Sequence, residues 1–387
     1  MTEKLYETDS YCREFTATVE SCVCEDGIYK VILNRTAFFP EGGGQAADGG
    51  TLNGSRVLDV QLEGDCVVHK TETPFSQGQE VVGILDWELR FSRMQSHAGE
   101  HIVSGVVHGM YGYSNVGFHM GDTVMTVDFS GSLTVDDIRE IEVKSNQAIY
   151  QNAPIRVSFP SKDELATLDY RSKLELEDGV RIITIGEIDC CACCAPHPAT
   201  TGEIGIIKII DHYPNKQGTR IEMLAGIHAL EDYARLNRTN KVLMGLLSAP
   251  RDGVEDAVYS QNELAQTLRS ENQRLAKRLA MAELTPIEVG AGVYGILDGV
   301  SYDELRYCSN ELLSHGAATC VLLSKTEETG YSYVVASKDK DVRQMVAALN
   351  HALNGKGGGK SDFAQGKISA DSEDEIKTVI TNILQDA

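Results

Sequence analysis

Two short clusters constrain this chain more than anything else in it. His97 and His101 lie four residues apart in SHAGEHIVSG, and Cys193 and His197 lie four apart in CCAPH, almost a hundred residues later. On a helix, positions i and i+4 share a face, so the two histidines can point at one ion. Imidazole nitrogen and thiolate sulfur are the usual donors to zinc, and four of them close a tetrahedron. A chain that meets this demand must fold two remote segments onto each other. The HxxxH pair alone is weak, because two histidines on a helix are as often ordinary polar-face residues. The second pair is what turns the balance toward metal. Glu100 precedes His101 and does not follow His97, so the spacing is not that of an H-E-x-x-H protease helix. Cys190, Cys191 and Cys194 adjoin Cys193 and compete for the same ion, which leaves open a set built from two cysteines and the two histidines.

A length of 387 residues allows two or three domains. The N-terminus, MTEKLYETDSYCREF, is polar and unlike a signal peptide, and no apolar run approaches the roughly 18 residues of a membrane helix. No membrane partner is expected, and a cytoplasmic location is the default. Four of the ten cysteines crowd between Cys190 and Cys194, which points to metal or redox chemistry more than to a secreted disulfide scaffold. The net charge of −22 argues against broad nonspecific nucleic-acid binding, which rests on Lys and Arg. It still permits one local basic groove.

The texture of the chain changes several times. Residues 13–90 alternate β-branched and aromatic residues between Gly and Asp turns, the pattern of a small barrel or closed sheet. From Trp87 the apolar spacing becomes helical through Phe91, Met94, His97, Ile102 and Val106. GFHMGDTVMTVDFSG reads as strand, and TVDDIREIEVKSNQAIYQN as a helix with Thr134 as N-cap and Asp137 three residues on. VRIITIGEIDC and TGEIGIIKIIDHY read as strands flanking the Cys-rich loop, and the stretch from TRIEMLAG to MGLLSA as helical. Leu264, Leu268, Leu275 and Leu279 mark an amphipathic helix over 255–284 with modest coiled-coil character. Residues 285–387 alternate short buried strands with helices, as an α/β domain does, and NGKGGGKSDFAQGK reads as a loop interrupting them.

Two glycine-rich segments carry further candidates. In FFPEGGGQAADGG, Gly43 and Gly44 permit close approach of backbone to a ligand, and Gln45 offers both a donor and an acceptor. Taken alone, the triplet is more often a plain turn, and Thr36 an ordinary strand threonine. In NGKGGGKSDFAQGK, Lys356 and Lys360 flank Gly357, Gly358 and Gly359, a combination suited to phosphate backbones but not spaced as a P-loop.

The ordered series TAFFPEGGGQAADGGTL, DWELR with M-x-x-H-x-x-x-H, GFHMG with VDFSG, C-x-x-x-H followed by TGEIG, and GTRIEMLAG resembles the editing domain of alanyl-tRNA synthetases. It resembles still more their free-standing relatives, the AlaX-type alanyl-tRNA editing proteins, over about residues 13–235. GKGGGKSDFAQG resembles the glycine-rich stretch of the DHH-associated domain that ends the long forms. The resemblance implies an α+β fold in four parts. These are a β-barrel-like domain (1–90), a zinc-binding editing domain (91–235), a helical or coiled-coil linker (236–284) and a C-terminal DHH-associated-like α/β domain (285–387). It implies a zinc-dependent hydrolase that removes serine, and also glycine, from mischarged tRNA for alanine. By motif, His97, His101, Cys193 and His197 would hold Zn2+. Thr36, Gly43, Gly44 and Gln45 would line the aminoacyl pocket, with Thr36 sensing the serine hydroxyl. Lys356 and Lys360 would contact tRNA, and a homodimer through the 255–284 helix and the C-terminal domain is expected. The chain starts with the editing-like region, so a synthetase is not expected. It departs from the family where C-G-G-T-H becomes Cys193-Cys194-Ala195-Pro196-His197, which stiffens the turn and removes a hydroxyl. Four protein ligands favour a zinc that orients the tRNA end over one that activates water. The competing functions are a non-catalytic zinc-stabilised tRNA-binding module and a thiol-based redox or metal sensor.

Overall fold

The computed structural model describes residues 1–172, 180–216, 218–326 and 330–385. The chain divides into two compact units, Met1–Val242 and Leu243–Ala387.

Six strands of the first unit form its N-terminal part: β1 (Glu14–Glu25), β2 (Ile28–Leu33), β3 (Gly50–Leu52), β4 (Ser55–Glu63), β5 (Cys66–Thr71) and β6 (Glu80–Leu85), alongside a short parallel pair of Glu3–Lys4 with Arg35–Thr36. They pair in the ring β1-β2-β5-β4-β3-β6 and close as a barrel. Alternation along the strands places Phe15, Ala17, Val19, Val31, Leu33, Val60 and Val81 in its core. Closure removes the unpaired edges that a small sheet would otherwise expose.

The helix α1 (Trp87–Tyr111) leaves the barrel directly. Asp86 caps it by accepting from the Leu89 amide, and Gly112 ends it in the left-handed region at φ 70°. Its buried face packs on a four-stranded antiparallel sheet. That sheet runs β12-β13-β8-β7, from β7 (Asn115–Met120), β8 (Met125–Phe129), β12 (Ile207–Asn215) and β13 (Gly218–Ala225). The helix α2 (Val135–Tyr150) carries the expected cap, a reciprocal box between Thr134 and Asp137. A second antiparallel sheet, β9 (Ile155–Ser158), β10 (Ile182–Ile185) and β11 (Asp189–Ala192), carries Cys190 and Cys191 on its last strand, with Cys193 and Cys194 just beyond it.

One reading of the sequence needs correction here. TRIEMLA is strand β13 and not the start of a helix, which begins at Ile227 and runs to Leu247 as α3. Its alternation of buried Thr219, Ile221 and Met223 with less buried neighbours is the period-2 signal that the helical reading passed over.

In the second unit, α4 (Val254–Glu283) leaves Leu264, Leu268, Leu275 and Leu279 exposed. The sheet that follows has the order β14-β15-β16-β17-β19-β18. Its strands are β14 (Ile287–Val289), β15 (Gly292–Asp298), β16 (Thr319–Lys325), β17 (Gly330–Ser337), β18 (Lys356–Gly359) and β19 (Phe363–Ser369), with helices α5 (Tyr302–Ser314), α6 (Val342–Ala352) and α7 (Glu373–Gln385). Within this sheet, among the described strands, only β15 and β16 pair in parallel; the other neighbours are antiparallel. β16 pairs antiparallel with β17, the strand that follows it in the chain. The lysine-glycine segment is no loop: it forms the β18–β19 hairpin at the sheet edge.

One histidine, His69 on β5, sits fully inside the barrel. Burial pulls its imidazole down to about 4. The unfolded chain takes up that proton near the ordinary 6.5, while the folded barrel refuses it until about 4. Stability should therefore fall as pH drops across that interval. His69→Gln should reduce this pH-linked loss by up to about 3 kcal/mol, read from denaturant unfolding at pH 7 and pH 4.5. An equally steep loss in the variant would assign it to other groups.

Candidate metal centre

Helical spacing puts Met94, His97, Ala98, His101 and Ile102 on one buried face of α1. Arg90, one turn earlier and fully buried, fixes that helix to the barrel. Its guanidinium donates to the Asp48 carboxylate, to the Ala37 carbonyl at 2.5 Å and to the Ser10 carbonyl at 3.1 Å. Two glycines let other elements come close. A Cβ at Gly99 would lie 2.8 Å from the Ala225 Cβ, and one at Gly105 would lie 2.4 Å from the Ile188 carbonyl oxygen. Gly105 therefore admits the turn that leads into β11.

His97, His101, Cys193 and His197 converge, with their ligand atoms all within 4.8 Å of one another. The Cys193 sulfur lies 3.4 Å from His97 Nε2. Each imidazole has its Nδ1 committed to an oxygen: His97 to Gln45 Oε1 at 3.0 Å, His101 to Asp189 Oδ2 at 2.8 Å, and His197 to the Ala195 carbonyl at 2.7 Å. If each Nδ1 carries the proton, three Nε2 lone pairs turn toward the sulfur. His197 Nε2 is buried and finds no hydrogen-bond partner, as a nitrogen meant for a cation would. Three imidazoles and one thiolate, all but the half-buried cysteine fully buried, suit a four-coordinate cation such as zinc.

The surroundings set the charge states. Burial opposes ionisation of Asp189, but hydrogen bonds from His101 and Arg171 outweigh it and hold the carboxyl below its usual range. Arg171 grips both oxygens of Asp189, at 2.6 and 2.8 Å. Burial also resists the Cys193 thiolate, but the imidazoles that surround it outweigh that and hold its pKa well below the ordinary thiol value. Desolvation takes His197 down to about 4, which keeps it neutral and able to donate a lone pair.

The other cysteines separate by strand geometry. Cys190 points away toward Thr184, at 3.8 Å from its hydroxyl, among Leu165, Val180 and Ile182. Cys191 shares a face with Asp189 and forms a smaller group with Asp189 and His101. Cys194 is exposed, and a Cβ on Gly43 would lie 3.8 Å from its sulfur.

Gln45 is buried, reaches the centre through His97, and keeps its amide Nε2 without a partner. Gly44 lies against Phe118, where a Cβ would come within 2.8 Å of the ring, and Phe118 sets its edge on His97. Thr36 is fully buried, on a two-residue strand that pairs in parallel with Glu3–Lys4 beside the barrel. Its hydroxyl shares a 2.8 Å hydrogen bond with His69 Nε2 and accepts from the Phe38 amide. Lys356 and Lys360 are exposed at the β18–β19 hairpin of the second unit, with Lys356 opposite Lys367. Asp189, Arg171, Arg181 and His69 were not singled out in the sequence. The signal available for Asp189 was its place two residues before Cys191 on a strand, which puts both on one face.

Three domain families match parts of the chain: tRNA synthetases class II (A) at residues 8–89, the Threonyl and Alanyl tRNA synthetase second additional domain at 180–222, and the DHHA1 domain at 290–386. They define a protein in which two modules of tRNA synthetases precede a DHHA1 domain. The alanyl-tRNA editing protein Aarsd1 of Mus musculus is 30% identical over 94% of this chain and 94% of its own length. AlaX-L of Pyrococcus horikoshii is 27% identical, over 97% of this chain and 96% of its own. An alanine–tRNA ligase of Ignicoccus hospitalis is 28% identical over 99% of this chain but only 43% of its own length. The chain belongs to the family of alanyl-tRNA editing proteins of the Aarsd1 and AlaX-L type.

Gly105→Ala should push the Ile188–Asp189 turn off the helix and cost about 1–3 kcal/mol in denaturant unfolding. Gly109→Ala, four residues on, meets open space and should cost nothing. Equal effects from the two would discard the close-approach argument.

Proposed function

We propose that this protein is a zinc-dependent deacylase that hydrolyses the ester of mischarged tRNA for alanine, with serine and glycine as the acids released. The single observation that carries this is the convergence of His97, His101, Cys193 and His197 beside Gln45 in a chain of this family. Zinc bound there would supply a fixed positive charge that orients the acceptor end and favours the developing oxyanion. Asp189 holds His101 in one tautomer, and Gln45 does the same for His97. The free amide N–H of Gln45 is available to a substrate carbonyl or hydroxyl.

Thr36 is the proposed discriminator. His69 Nδ1 lies 3.1 Å from the Val31 carbonyl, so its Nε2 accepts and the Thr36 hydroxyl proton is already spent. Toward a serine substrate Thr36 can act only as an acceptor, and alanine would leave that acceptor unmatched. Lys356 and Lys360 are proposed contacts to the tRNA backbone, supplying a local positive patch on a chain of net charge −22. The exposed leucines of α4 are the proposed homodimer contact, which sedimentation of the full chain tests. No helix among the described residues is long and apolar enough to cross a membrane, and the reading places the protein in the cytoplasm with the tRNA pool.

Purified protein should contain one zinc and release serine from seryl-tRNA for alanine, and a chelator should abolish both. Zinc content without deacylation would leave a zinc-stabilised tRNA-binding module. Reversible thiol oxidation with no effect of aminoacyl-tRNA would leave a sensor. Thr36→Val should lower the ratio of serine to alanine release about 10-fold or more, and an unchanged ratio would remove Thr36 from the pocket. Replacing Lys356 and Lys360 together by alanine should weaken tRNA binding and flatten its salt dependence by about one logarithmic unit per lysine.

A further inference from the structure

The turn that bears two of the four donors is held by a residue that none of the motifs contains. Arg181 stands just before β10 (Ile182–Ile185), directly across from Cys193 once the Ile182–Ala192 pairing is continued by one residue. Its own carbonyl accepts from the Cys193 amide at 3.0 Å. Its Nη1 donates to the Cys193 carbonyl at 2.9 Å and to the Ala195 carbonyl at 2.8 Å, and its Nε donates to the Glu7 carbonyl at 3.1 Å. Main chain and side chain of one residue thus grip the Cys193 peptide from both ends. The Ala195 carbonyl is shared: it accepts from Arg181 and also lies 2.7 Å from His197 Nδ1. Arg181 is 7% exposed, and its described hydrogen bonds all go to main-chain carbonyls. Burying a guanidinium on carbonyls alone is expensive, and a well-packed apolar side chain would serve a merely structural need better.

We propose that Arg181 is a positioning residue for the metal centre: by clamping the Cys193 and Ala195 carbonyls it sets the distance and orientation between the Cys193 sulfur and His197 Nε2. The inference rests on the zinc assignment made above. It explains how the turn Cys193-Cys194-Ala195-Pro196-His197 can present ligands without the glycine pair of the family's motif. One guanidinium nitrogen, Nη1, donates to both carbonyls while Nε of the same rigid plane is fixed on the Glu7 carbonyl, a preset geometry that a flexible ammonium lacks and a thioether cannot supply. Oriented partners of this kind are worth roughly 10- to 100-fold in metal affinity.

The test uses the full chain, with Arg181→Met and Arg181→Lys, and zinc alone as the probe in competition with a chromophoric chelator. Arg181→Met should bind zinc about 10- to 100-fold more weakly than the parent, with Arg181→Lys in between. Melting is followed for each protein with and without zinc. A positioning role shrinks the rise in Tm that zinc produces, whereas a structural role lowers both Tm values equally and leaves the rise intact. Parent-like zinc affinity in both variants overturns the proposal, and so does loss of the fold in both. If Arg181→Met alone fails to fold, Arg181→Lys decides. A parent that holds zinc but deacylates nothing would sink the proposed function and leave this inference standing. A zinc-dependent deacylase whose Arg181→Met form binds zinc normally would sink this inference alone.

Discussion

Three imidazoles and a thiol from two remote segments are brought together at one point, and the rest of the first unit is arranged around that burden. A buried lone pair without a partner costs as much as a lost hydrogen bond. The Nδ1 side of each ring is satisfied from outside the cluster, where Gln45, Asp189 and the Ala195 carbonyl each accept from one imidazole. What remains inside is a set of ligand atoms facing one another, His197 Nε2 among them, a set that could hold a metal ion.

That arrangement depends on how α1 is set. Arg90 and Asp48 bury an ion pair that ties the first turn of the helix to the barrel, and the Asp48 carboxylate also accepts from the Phe39 amide at 2.7 Å. Further along, Gly99 and Gly105 are small because Ala225 and Ile188 lean on the helix there. The same helix therefore carries its ligands, its anchor and the two gaps through which the partner segments approach. Asp189 then serves twice, holding His101 on one oxygen and taking Arg171 on both. Its negative charge stays with the centre because Arg171 balances it on the outer side.

The second unit solves a different problem with glycine. β18 is an edge strand, and edge strands invite unwanted pairing. Here it is four residues long, glycine-rich and flanked by Lys356 and Lys360. A Cβ at Gly357 would lie 2.2 Å from the Tyr333 hydroxyl oxygen, and one at Gly359 would lie 2.3 Å from the Phe363 carbonyl oxygen. The glycines thus press the strand onto β19 and its neighbours, and the lysines both guard the edge and offer charge.

Much of this was legible in the sequence because it is local. Period-2 alternation marked the barrel strands, helical spacing put His97 and His101 on one face, and Thr134 announced its helix. Spacing also paired Cys193 with His197, since a tight turn keeps such residues together whatever surrounds them. Tertiary structure alone decided which cysteine faces inward, that Asp189 and Gln45 fix the imidazoles, that Arg181 clamps the turn, and that Thr36 is already bonded to His69. It also turned an alternating strand-helix pattern into a mostly antiparallel sheet. Periodicity and spacing report which face of an element a residue occupies. The partners waiting on that face come from segments tens to more than a hundred residues away, and those are fixed only when the chain packs.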